Sequence, residues 1–215
     1  MYAQGLCNVA VRRVVKHVLF ISLIFLCGAS SLIASDNPTK LITLLKQGGY
    51  VIYWRHAKTD HKQVDSEQLD LDDCSTQRNL DPEGKEQARY VGLLFKKENI
   101  PVGQILTSPF CRCRETAELA FANDYEITVD KTLYFAIGTK KKQRTWQSLK
   151  LVEQLSTRPE KGNTILVSHT ANLKEAVEIW PKPEGAMYVF SPHGTQYEFV
   201  GRLTPDFFSK SFHAL

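Results

Sequence analysis

Val51-Ile52-Tyr53-Trp54-Arg55-His56-Ala57-Lys58-Thr59 is the stretch on which the fold turns. Four apolar residues run without a polar break and deliver an Arg-His pair into a polar segment. Such a run, bounded by Gly48-Gly49 on one side and polar residues on the other, reads as a buried parallel strand. Parallel strands are covered on both faces and so lose the apolar–polar alternation. Two later segments have the same form. Ile105-Leu106 leads into Ser108-Pro109-Phe110-Cys111-Arg112-Cys113-Arg114-Glu115-Thr116-Ala117-Glu118, and Ile165-Leu166-Val167 leads into Ser168-His169-Thr170. In open α/β sheets, ligands bind outside the carboxyl ends of the strands. Arg55, His56, Arg112 and His169 are therefore expected to meet at one sheet edge, as an anion pocket containing a nucleophile.

Around these strands the pattern alternates. Asn37-Pro38 opens a helix with Leu41, Ile42, Leu44 and Leu45 on its buried face. Residues 58–82 are polar and irregular. Asp81-Pro82-Glu83-Gly84 starts a helix carrying Ala88, Val91, Leu94 and Phe95 at 3–4 spacing. Further helices are expected over Pro109 to Phe121, about Thr145 to Leu155, and Asn172 to Ile179, with a strand over Asp124 to Val129. Residues 131–145 read as irregular and basic. Met187 to Ser191 and Gln196 to Leu203, around Pro192-His193-Gly194, read as a closing hairpin. The expected fold is α/β, a three-layer sandwich with a mostly parallel central sheet.

With 215 residues, 43% of them hydrophobic, the chain can bury one sizeable core. Its formal charge of +4 suits an anionic ligand and falls short of a nucleic-acid footprint. Arg12, Arg13 and Lys16 precede an apolar run from Val18 to Cys27 and then small residues, the pattern of a secretory signal peptide over residues 1–34. The alternative is an uncleaved anchor over residues 14–34. Either reading places the domain of residues 35–215 outside the cytoplasm, periplasmic, secreted or membrane-tethered. Its cysteines are Cys74, Cys111 and Cys113. One of the latter two pairs with Cys74, or all three are buried thiols. The Cys-x-Cys spacing does not suit zinc, and neither metal nor cofactor is expected.

These motifs together resemble the histidine phosphatase superfamily, with its phosphoglycerate-mutase-like fold. Arg55-His56-Ala57 matches the Arg-His-Gly nucleophile motif. Ser108, Pro109, Arg112, Thr116, Ala117 and Glu118 match Ser-Pro-x-x-Arg-x-x-x-Thr-Ala-Glu. Arg78-Asn79-Leu80 with Gly84 is similar to the entry to the second helix, and His169 to the late histidine. The resemblance spans about residues 48 to 203. It implies that His56 becomes phosphorylated, that Arg55 and Arg112 bind the phosphoryl oxygens, and that His169 stabilises the transition state.

Two departures stand out. Ala57 replaces the usual glycine, which would strain the backbone if φ is positive there. No carboxylate occupies the usual acid position near Asp130-Lys131-Thr132-Leu133-Tyr134-Phe135, leaving Asp60, Glu184 or solvent to protonate the leaving group. The expected activity is hydrolysis of a small-molecule or envelope phosphate ester. The alternative is a phosphate-binding module with little turnover. Arg78 is expected to anchor its loop, His61 and His193 to be solvated, and Lys140-Lys141-Lys142 to be a solvated loop or a recruiting surface.

Overall fold

A computed structural model describes residues 37–137 and 139–213, so the leader expected over residues 1–34 lies outside the described residues. The elements in chain order are α1 (Pro38–Leu45), β1 (Val51–Arg55), α2 (Pro82–Lys97), β2 (Val102–Thr107), α3 (Cys111–Phe121), β3 (Thr128–Val129), α4 (Lys141–Ser156), β4 (Asn163–Ser168), α5 (Thr170–Val177), β5 (Met187–His193), β6 (Gln196–Leu203) and α6 (Pro205–His213). One six-stranded sheet runs β3-β2-β4-β1-β5-β6. Its β3, β2, β4 and β1 are mutually parallel, and β5 alone runs against its neighbours. Helices cover both faces, giving the three-layer α/β architecture.

The alternation of side chains along β1 divides the core in two. Ile52 and Trp54 join Ile165 and Val167 under α1, α2, α3 and α6. Val51 and Tyr53 point the other way, to Leu151 and Leu155 of α4 and Leu173 of α5. All four of these β1 residues are fully buried, which is why the strand reads as continuous apolar sequence.

The boundaries differ from expectation where packing overrides local chemistry. α4 begins at Lys141, inside the stretch read as irregular, with no side-chain cap and no acidic residue in its first turn. Gln147, Leu151 and Leu155 set its register by burying one face. β3 shrinks to Thr128–Val129, both exposed. β2 starts three residues early, and α5 starts straight after His169. α6 lies beyond the expected elements, and Phe208 anchors it.

Gly84 shows why the second helix needs a glycine in its first turn. The Asp81 side chain caps α2 by accepting from the Gly84 N–H at 2.7 Å, and Lys58 O accepts from the Asp81 N–H at 3.1 Å. A Cβ on Gly84 would stand 1.9 Å from that Lys58 oxygen. Gly84→Ala must therefore push the Lys58 backbone, two residues from His56, and is expected to cost about 1–3 kcal/mol. A thermal melt compared with Gln87→Ala, one turn further along, checks this.

Candidate active site

The three strand ends β2, β4 and β1 lie side by side, and their registers bring Arg55 opposite Ser168. The next residues are locked across the gap. The His56 N–H donates to Ser168 O at 3.0 Å, and the Ser108 N–H donates to Val167 O at 2.9 Å. This lines up Ser108, His169 and His56 at one edge, as strand order predicts.

His56 is buried, with Nδ1 2.9 Å from the Ala57 carbonyl oxygen. Only an Nδ1–H can make that bond, so Nε2 carries the lone pair. Burial first, and then the Arg112 guanidinium, push the imidazole down to about 3, leaving it neutral and nucleophilic at physiological pH. The His169 ring crosses it with centroids 5.5 Å apart. Ser108 Oγ is 2.8 Å from His169 Nε2, and Phe110 and Phe135 wall the ring at 5.1 and 5.0 Å. Burial, followed by Arg112 and His56, holds His169 well below its ordinary value. His169 is thus neutral without ligand, a hydrogen-bonding partner rather than a standing cation.

Thr116 ties the two principal motifs together. Its Oγ1 accepts from the Ala57 N–H at 3.0 Å and donates to Arg112 O at 2.6 Å. The concern over Ala57 does not arise: among described non-glycine residues only Asn99 and Glu178 have positive φ.

Three arginines surround the imidazoles, and each is held by its outer nitrogens. Arg112, fully buried in the first turn of α3, donates from Nη1 and Nη2 to the two carboxylate oxygens of Asp65 at 2.9 and 3.2 Å. Arg55 donates from Nη1 to Pro181 O at 3.1 Å and from Nη2 to Glu184 Oε1 at 3.0 Å. Arg78 Nη2 lies 3.9 Å from Glu184 Oε1, so its side chain reaches the site as well as anchoring its loop. In all three the Nε is buried and unpartnered within the described structure. Buried donors without acceptors are costly, and three such guanidiniums beside two imidazoles make the surroundings suited to an anion.

The two expected proton donors are both engaged by other groups. Glu184 accepts from the Thr59 N–H and hydroxyl, each at 3.1 Å, and lies 3.1 Å from His61 Nε2. Burial works against its ionisation, but the Thr59 N–H and the Arg55 guanidinium outweigh it and hold the carboxyl below its usual range. In the unliganded site an ionised Glu184 positions Arg55. Asp60 accepts from the Lys62 N–H at 2.9 Å, which closes its own turn. His61, expected in solvent, is two-thirds exposed yet touches the site through Glu184.

A disulfide joins Cys74 to Cys111, and Cys113 is a free buried thiol 3.6 Å from His169 Nε2. The bridge pins the loop bearing Asp65 to the residue before Arg112, and Gln77 Oε1 caps the Cys111 N–H at 2.9 Å. It closes a loop over a sequence separation of 37 residues. Its reduction is expected to cost about 4 kcal/mol, read as a lower denaturant midpoint with dithiothreitol. Among the described residues no histidine, cysteine and carboxylate group is arranged to hold a metal ion.

A parallel-sheet edge carrying two imidazoles, three guanidiniums and a capped helix start defines a phosphoglycerate-mutase-like α/β protein. Residues 51–134 match the family described as histidine phosphatase superfamily (branch 1). Over those residues the chain is similar to that superfamily. Solved structures share the fold: YhfR of Bacillus stearothermophilus (15% identity, TM-score 0.52, covering 70% of this chain and 94% of that one), a mycobacterial glucosyl-3-phosphoglycerate phosphatase (13%, 0.51, 71% and 97%) and the phosphoserine phosphatase of Entamoeba histolytica (15%, 0.50, 74% and 98%). Comparison with curated protein sequences gives no match.

Proposed function

We propose that the chain is a hydrolase that removes the phosphoryl group from a phosphate monoester through a phosphohistidine on His56. The observation that carries this reading is the His56 tautomer. Nδ1–H is committed to Ala57 O, so the Nε2 lone pair is available amid unpartnered guanidinium donors. The lone pair attacks phosphorus; the P–N bond forms as the P–O bond to the alcohol breaks, and the departing oxygen takes a proton from solvent. The Nδ1–H bond to the carbonyl stabilises the imidazolium character that phosphorylation creates. Arg55, Arg78 and Arg112 receive the phosphoryl oxygens, and His169 donates an N–H as their charge grows. Water then attacks phosphorus, the P–N bond breaks, and orthophosphate leaves.

Reaction with a radiolabelled phosphate ester, quenched in alkaline detergent, should leave base-stable label on the protein that later acid treatment removes, absent from His56→Ala. Vanadate binding without trapped label would instead make the chain a phosphate-binding module, a reading to which the ionised Glu184 lends weight. An exported site of action is supported by the leader pattern and by the Cys74–Cys111 disulfide, since disulfides persist in oxidising compartments. A small-molecule or envelope phosphate ester is the substrate class in keeping with that location.

A further inference from the structure

The basic stretch leading into α4 has no part in the phosphoryl chemistry and is costly for the helix it begins. Lys141, Lys142 and Arg144 fill the first turn, where the helix dipole favours anions, and Lys140 stands at the uncapped N-terminus. Among the described residues none of these four side chains has an ion-pair partner. Beside them the surface is apolar: Ile137, Trp146 and Leu149 are 65%, 47% and 65% exposed. Lys142, Trp146 and Leu149 lie at i, i+4 and i+7, so one helix face carries both the charge and the large apolar side chains. Arg144 donates from Nη1 to Thr139 O at 2.7 Å, but the three lysines stay unpaired, and local rules broken in this way mark functional surfaces.

We propose that this face docks on an anionic lipid bilayer. Cations flanking Trp, Leu and Ile on one helical face are the makeup of interfacial helices: the apolar side chains enter the headgroup boundary while the lysines meet lipid phosphates. The position relative to the site is apt. Phe135, two residues before Ile137, packs on His169 at 5.0 Å and lies 5.7 Å from the Arg112 guanidinium. A docked α4 face therefore brings one wall of the phosphate pocket to the lipid surface. The docking goes beyond the proposed hydrolysis and does not depend on it.

The test follows Trp146 fluorescence in the full chain, obtained by difference from Trp146→Phe, with brominated lipid in vesicles of phosphatidylcholine with or without phosphatidylglycerol. The readout is residue-specific, so bilayer entry by any other segment leaves it unchanged. Quenching is expected only in the anionic vesicles and is expected to weaken with salt. Lys141→Glu/Lys142→Glu is expected to weaken binding by roughly thirtyfold or more. Its thermal midpoint should hold or rise, because acidic residues suit the first turn. Several outcomes overturn the proposal: no quenching in either vesicle, equal quenching in both, preference for soluble polyglutamate over vesicles, or a fall in the variant's thermal midpoint that parallels its loss of binding.

Discussion

Replacing His56 with Asn is expected to lower hydrolysis of an aryl phosphate by about four orders of magnitude or more, because the nucleophile is gone while the binding groups remain. The same change is expected to make the protein more tolerant of acid. Burial and Arg112 hold the folded His56 at about 3, whereas the unfolded side chain titrates near its ordinary 6.5. Between those values the unfolded state binds the extra proton. Stability is therefore fully present above about pH 6.5 and is lost as pH falls towards about 3. Asn cannot take up that proton, so the slope contributed by His56 disappears, while His169 still contributes one of the same sign. Thermal melts of both proteins between about pH 7 and about pH 4 check this. Parallel curves would show that His56 is not held neutral by the fold.

Arg112→Lys is expected to lower kcat/KM by roughly a hundredfold or more, although the formal charge is kept. The guanidinium does two things with different edges. Its Nη1 and Nη2 grip both oxygens of Asp65, and its Nε remains for the ligand. An ammonium has no second edge. Lysine either pairs with Asp65 and leaves the phosphoryl oxygens unmet, or turns to the ligand and leaves a carboxylate partly buried without its partner. The loss should appear in vanadate affinity as well as in kcat. A loss in kcat alone would place Arg112 outside the ground-state phosphate pocket.

The legible part of this protein is the part built from contiguous sequence. Each of the strands β1 and β4 is buried on both faces, so each shows an uninterrupted apolar run with its chemistry at the end. Helix α3 follows β2 directly, so its serine and arginine stay in register. The illegible parts depend on partners distant in the chain. Asp65 is one of six aspartates between residues 58 and 82, and nothing local distinguishes it until the Cys74–Cys111 bridge and Gln77 set it on Arg112. Arg78 is similar: its backbone role could be read from the segment it opens, but the direction of its side chain could not. The start of α4 was missed for the opposite reason. Its first turn is basic and uncapped, against the helix dipole, and the burial of Gln147, Leu151 and Leu155 sets its register.

Thr116 gives the site a property that no individual motif has. One hydroxyl oxygen touches the backbone beside the nucleophile and the backbone of the arginine across the pocket. The two reacting partners are thus gauged against a common stop as well as against the sheet. If α3 shifts or the strand ends flex, the attacking nitrogen and the charge that receives the phosphoryl oxygens move together. Their separation is then set by two short hydrogen bonds, and tolerance for error elsewhere in the fold is correspondingly wide.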